Sequence, residues 1–186
     1  MLLMTENLVR MAFMEGPQGA GKTSATEFAT SLGYKPVRGI PTGEKLIKNT
    51  TSQNWHQSLA ILEELANRGE AFVSDRSFWS LVVFKMRKRP ELADSFYELG
   101  SQMFKGRING IDHKVIVILA EPQTCISRAN PDSPVAITDI AESENEIKTY
   151  KELMVRLKDD GFKAFSIYNE GISKDEFFGH ITSLLK

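Results

Sequence analysis

The sequence predicts an α/β fold in which a doubly wound, parallel, five-stranded sheet is flanked by helices. Three observations lead there. Short apolar runs alternate with helical patterns along the chain, and parallel strands need such crossovers between them. One run, Val115 to Leu119, is apolar at five successive positions, as in a central strand covered on both faces. A glycine-rich turn, "MEGPQGAGKT" (Met14 to Thr23), joins the first apolar run to the first helical pattern.

Taken in order, "LVRMAFME" (Leu8 to Glu15) is a buried strand, and "GKTSATEFATSLG" is a helix with Gly33 placed to cap its C-terminus. "YKPVRG" is a weak strand, because Pro36 removes a ladder donor. "NWHQSLAILEELANRG" places Trp55, Leu59, Leu62 and Ala66 on one helical face and closes at Gly69. "EAFVSDRS" is a strand ending in polar residues. "FWSLVVFKMRKR" and "PELADSFYELGSQMFKG" are two helices broken at Pro90, which suits a first helical turn. "HKVIVILAEP" is the central strand, and "PQTCISRA" starts a helix. "NPDSPVAITD" is polar, with two prolines, and reads as a loop or lid. "ESENEIKTYKELMVRLKDDG" is an amphipathic helix with Ile147, Tyr150, Met154 and Leu157 inward. "FKAFSIY" is the last strand, and "SKDEFFGHITSLLK" is a helix with Ser173 and Glu176 spaced as a capping box.

The 186 residues suit one domain, with a short lid over about residues 128–138. A net charge of −1 provides no global field for gripping nucleic acid. One cysteine, Cys125, excludes an intrachain disulfide framework and points to a reducing, cytoplasmic setting. Glu6 and Arg10 interrupt the apolar start, so no signal peptide is expected, and no run is long enough to span a membrane.

The glycine turn carries the chemistry. Gly16, Gly21, Lys22 and Thr23 form the P-loop signature, in the strand–turn–helix context that it requires. Glycines at 16, 19 and 21 let the backbone turn sharply and point N–H groups inward, where the helix N-terminus also favours phosphate. Residues Gly16, Pro17, Gln18, Gly19, Ala20, Gly21, Lys22, Thr23 and Ser24 are therefore expected to bind ATP. Lys22 would contact the β- and γ-phosphates, and Thr23 would ligate Mg²⁺. Asp75 and Arg76 follow a strand, at the edge where such sheets bind ligands. Asp75 could hold Mg²⁺ through water or take a proton from a hydroxyl, and Arg76 could clamp a phosphate bidentately.

With these segments the sequence resembles the thymidylate kinase and deoxynucleoside kinase group of P-loop kinases. "RGEAFVSDRS", "DHKVIVILAEPQTCISR" and "ITDIAESENEIKTYKEL" are similar to that group's Asp-Arg, lid-arginine and post-lid segments. The resemblance is patchy but runs from about residue 8 to 168. It implies ATP and Mg²⁺ as cofactors, a nucleotide or nucleoside acceptor, and a possible homodimer. By the same resemblance, Arg38 would bind an acceptor phosphate and Arg128 would start the lid. Arg128 would then offset charge on the transferring group. Lys22, Asp75, Arg76 and Arg128 are the expected catalytic set. Arg38, Arg76 and Gln57 are expected at the acceptor, and Thr23 and Asp75 at the metal. The sequence departs from the group where Ile40 and Pro41 replace a double glycine. It also lacks the arginine expected early in the third helix, near Trp55, His56 and Gln57.

Arg38 favours a phosphate acceptor, which needs clamping and no base; a hydroxyl acceptor needs a base. The expected reaction is ATP-dependent transfer to a deoxynucleoside monophosphate. One alternative is a hydroxyl-directed kinase acting on a deoxynucleoside or a hydroxymethylated base in DNA, with Asp75, Glu15 or Glu44 as base. Another is an ATP-binding switch or adaptor. The basic cluster "KMRKRP" keeps DNA as a partner that is not favoured, since cations also suit a helix C-terminus. Trp55 and Trp79 are expected to pack rather than stack on a base. His56, His113 and His180 share no metal-ligand spacing.

Overall fold

The computed structural model describes residues 9–37, 51–68, 70–107, 111–129 and 137–186. Five strands form one sheet: β1 (Val9–Glu15), β2 (Lys35–Pro36), β3 (Phe72–Asp75), β4 (Ile111–Leu119) and β5 (Ala164–Tyr168). The strand order is β2-β3-β1-β4-β5, and every pairing is parallel. Among the described residues the α-helices are α1 (Lys22–Ser31), α2 (Thr51–Ala66), α3 (Phe78–Lys88), α4 (Ala93–Gln102), α5 (Pro122–Arg128), α6 (Ile140–Asp159) and α7 (Lys174–Leu185).

The apolar run of β4 sits where continuous burial predicts. Val115, Ile116, Val117 and Ile118 are fully buried, between β1 and β5. Register aligns the strand ends: Met14 lies beside Asp75, and Glu15 beside Val117. The C-terminal ends of β1, β3 and β4 therefore open onto one edge. The chain order reverses about β1 there, which is where sheets of this kind bind ligands.

Helix boundaries follow local chemistry. Ser77, Asp139 and Ser173 cap α3, α6 and α7 by accepting bonds from Trp79 N, Glu142 N and Glu176 N. The stretch expected as one helix from Pro90 is instead three pieces. A 3₁₀ turn (Pro90–Leu92) precedes α4, and a π-helical turn (Met103–Arg107) follows it. The wider last turn lies where both Met103 and Phe104 enter the core, with the Phe104 ring 5.2 Å from Phe13 and 5.4 Å from Trp79. Trp79 itself is fully buried and packs on Tyr97, Phe104 and Phe162, so it cannot stack on a base. No helix among the described residues is long and apolar enough to cross a membrane.

Candidate active site

Two features meet at the shared sheet edge. The first is the glycine loop between β1 and α1. Gly16, Gly19 and Gly21 have φ of 132°, 78° and 108°, in the region L side chains avoid. Space adds a second reason at two of them. A Cβ on Gly16 would lie 2.0 Å from the Ile118 carbonyl oxygen, and one on Gly19 would lie 2.0 Å from that of Cys125. The loop is thus wedged against the end of β4 and the backbone of α5. Asn169, after β5, donates to Ala20 O at 2.9 Å and ties down the far side. Ala20 is buried, whereas Ser24 is exposed on the first turn of α1.

Lys22 opens α1 and is 6% exposed; its Nζ donates to Pro17 O at 2.6 Å. Burial, and then the charge of Arg76, bring its ammonium down to about 7, against the pull of the Asp75, Glu146 and Glu15 carboxylates. A buried ammonium held by one carbonyl favours an incoming anion. Gln18 N points to Glu146 of α6, 3.4 Å away.

Thr23 Oγ1 donates to Asp75 Oδ2 at 2.8 Å, across 52 positions of sequence. The fold thus brings together the two residues expected at the metal. Their oxygens fit Mg²⁺, which binds a few protein oxygens and completes its shell with water and phosphate. Among the described residues no cluster of three or more His, Cys, Asp or Glu forms an all-protein metal cage.

The second feature is the turn at Arg76. Its φ of 76° is the one positive value at a non-glycine residue among those described. Arg76 N donates to Met14 O at 2.9 Å, and Ser74 Oγ donates to Arg76 O at 2.6 Å. Its guanidinium Nη1 donates to Tyr150 OH at 3.1 Å and to Ser80 Oγ at 3.4 Å. Nε and Nη2 make no hydrogen bond to described residues, and neither is a buried orphan. They form the available edge of the fork.

Beneath Arg76 lies Glu15, which is fully buried. Ser77 Oγ donates to its Oε1 at 2.6 Å and Ser80 Oγ to its Oε2 at 2.5 Å. Burial pushes its carboxyl pKa up, opposed by the two serine bonds and then by the charges of Arg76 and Lys22. With both oxygens occupied and no exposure, Glu15 cannot serve as the base considered for a hydroxyl acceptor.

The basic segment is largely spoken for. Arg87, with a side chain 7% exposed, pairs with Glu142 at 3.0 Å and Glu146 at 3.3 Å of α6. Lys88 pairs with Glu142, Arg89 with Glu91, and Lys85 lies over the Phe96 ring.

Arg128 is exposed in the last turn of α5, three positions after the Cys125 carbonyl that abuts Gly19. Cys125 is buried and its thiol is pushed up to about 11 by burial, so it is unreactive. Gln57 is half-buried on α2, next to exposed His56; Trp55 donates to Leu99 O at 3.4 Å. Arg38, Glu44 and the lid around 130–136 lie outside the described residues. Ser77, Ser80, Glu146 and Asn169 were not expected at the site, and Tyr150 was expected only as a core residue. The available signals were a carboxylate ending an apolar strand and serines at helical spacing after Asp75-Arg76.

The parallel sheet with its glycine loop is a fold shared with solved deoxyadenosine and thymidylate kinases. The chain superposes on deoxyadenosine kinase from M. mycoides with bound dCTP at a TM-score of 0.61 and 17% identity, covering 94% of this chain and 98% of that one. The same enzyme with bound dATP gives 0.61 and 16% identity, covering 94% and 98%. Thymidylate kinase from Candida albicans gives 0.64 and 12% identity, covering 96% of this chain and 91% of that one. No family model and no curated protein matches the sequence. At these identities the likeness is one of fold.

Proposed function

We propose that this chain is a cytoplasmic, single-domain P-loop kinase that transfers the γ-phosphoryl group of ATP to a deoxynucleoside monophosphate. The observation that carries the reading is the convergence of Lys22, the Thr23–Asp75 pair and the open edge of Arg76 at one sheet edge. The glycine loop and Lys22 bind the triphosphate. Thr23 and Asp75 would hold Mg²⁺, which would supply charge neutralisation to the transferring phosphates. Arg76 clamps the acceptor phosphate through Nε and Nη2, and Arg38 and Gln57 complete the acceptor side. An oxygen of that phosphate attacks the γ-phosphorus in line, and the bond to the ADP oxygen breaks. The attacking oxygen is already anionic, so no base is required. Arg128 offsets charge at the transferring group.

A second reading has the acceptor as a deoxynucleoside hydroxyl. It is favoured by the likeness to a deoxyadenosine kinase. Asp75 or Glu44 would then be the base, Glu15 being enclosed. The test is transfer from labelled ATP–Mg²⁺ to a panel of deoxynucleoside monophosphates, deoxynucleosides, and DNA with and without hydroxymethylated pyrimidines. A labelled diphosphate supports the first reading and names the base. Label on a nucleoside or on DNA selects a hydroxyl acceptor. No transfer to any of them selects a switch or adaptor.

A further inference from the structure

Glu15 needs an explanation that acid–base chemistry does not supply. A carboxylate taken wholly out of water costs several kcal/mol unless it is paired and hydrogen-bonded. Here both oxygens accept hydroxyl bonds, at 2.6 and 2.5 Å, in the short range expected when the acceptor is charged. The two donors are distinct in role. Ser77 caps α3 through Trp79 N, so Glu15 ties the end of β1 to the start of that helix. Ser80, one turn later, accepts from Arg76 Nη1 while donating to Glu15 Oε2.

A chain of polar contacts therefore runs from Glu15 through Ser80 to Arg76, with Tyr150 of α6 as the second partner of Nη1. Arg76 is also the residue with the strained backbone, a conformation that persists only where the surroundings over-determine it. Fixing Nη1 selects one orientation of a planar fork, and it does so without consuming Nε or Nη2.

We propose that Glu15 is a positioning residue for the acceptor anion: through the Ser80 hydroxyl it holds Arg76 by Nη1 and leaves Nε and Nη2 to grip the acceptor's phosphate. The inference rests on the phosphate-acceptor reading above. It names a specificity device that discriminates a nucleoside monophosphate from the nucleoside.

The test is calorimetric binding by the full chain. The probes are the four deoxynucleoside monophosphates, their parent deoxynucleosides, and a non-hydrolysable ATP analogue with Mg²⁺. Wild type, Glu15→Gln, Arg76→Ala and the double variant form a cycle. Glu15→Gln is expected to weaken the bound monophosphate about tenfold, as for loss of one partner in a buried polar network, with under about twofold change for the ATP analogue. In the Arg76→Ala background the same substitution is expected to cost nothing further, and Ser80→Ala is expected to behave like Glu15→Gln. Additive losses in the cycle, or equal losses for monophosphate and ATP analogue, overturn the proposal and leave the kinase reading intact. If Glu15→Gln does not fold, the Ser80→Ala and Arg76→Ala cycle is read by the same criteria. A wild-type chain that binds no monophosphate overturns the phosphate-acceptor reading, and this inference with it.

Discussion

The glycine loop and the Arg76 turn lie side by side at one sheet edge, and they are held by opposite means. The loop is shaped by the absence of side chains: backbone atoms of Ile118 and Cys125 occupy the space that Cβ atoms would need. The turn is shaped by side chains from four places, namely Glu15, Ser74, Ser80 and Tyr150. One device tolerates almost no added atom. The other depends on polar partners that are themselves buried. A loop that wraps a triphosphate needs bare backbone N–H groups, while a fork that grips one anion needs to be aimed.

The largest effect is expected at the loop. Gly19→Ala would place a methyl group 2.0 Å from the Cys125 carbonyl oxygen at a φ of 78°. We expect ATP binding to weaken by about 100-fold or more and stability to drop by about 1–3 kcal/mol, read by calorimetry and thermal unfolding. The contact between the two regions comes next. Asp75→Asn removes the charge that Thr23 donates to. Turnover should fall by about 100-fold, with a higher Mg²⁺ requirement in steady-state rates; undiminished transfer would remove Asp75 from the mechanism.

The turn should respond more gently. Tyr150→Phe deletes the 3.1 Å contact to Arg76 Nη1 but leaves the ring in the core. A change of about 1 kcal/mol is expected, seen as a rise in acceptor KM of roughly fivefold with kcat little altered. An equal effect on the KM for ATP would mean that the two regions are not separable.

The smallest effect is a proton. Lys22 has its ammonium lowered to about 7 by burial and by Arg76, below the 10.5 of a free lysine. The cost of burying that charge is fully present below pH 7 and is relieved as pH rises toward 10.5. The unliganded chain should therefore gain stability from this group across that window. A bound triphosphate restores the charge, so nucleotide binding between those limits should take up protons and weaken as pH rises. Calorimetry in buffers of different ionisation enthalpy measures the uptake. In a Lys22→Ala variant it should vanish.

Legibility differed between the regions for the same reason. The loop's glycines, Lys22 and Thr23 are consecutive, so their geometry is local and shows in the order of residues. The same holds for the buried run of β4 and for the capping serine of α7. Arg76 and Asp75 were readable as polar residues ending a strand, although the orientation of Arg76 was not. Glu15 was readable as the end of a buried strand and as an alternative base for a hydroxyl acceptor. Only the packing of α3 on the end of β1 supplies the two hydroxyls that enclose it. The cluster Lys85 to Arg89 was readable as cations at a helix C-terminus, with an anion as the less favoured partner. The approach of α6, more than fifty positions later, neutralises Arg87 and Lys88 instead.

The sheet class and the glycine loop were already set in the order of residues, because hydrophobic period and glycine spacing act over a few residues. The tertiary structure alone decided which carboxylates are free, which cations are paired and which edge of Arg76 is open. Those outcomes depend on desolvation and hydrogen bonding between groups up to 128 positions apart, as between Gln18 and Glu146. Burial sets the cost of an unpaired charge, and burial is a property of the folded chain.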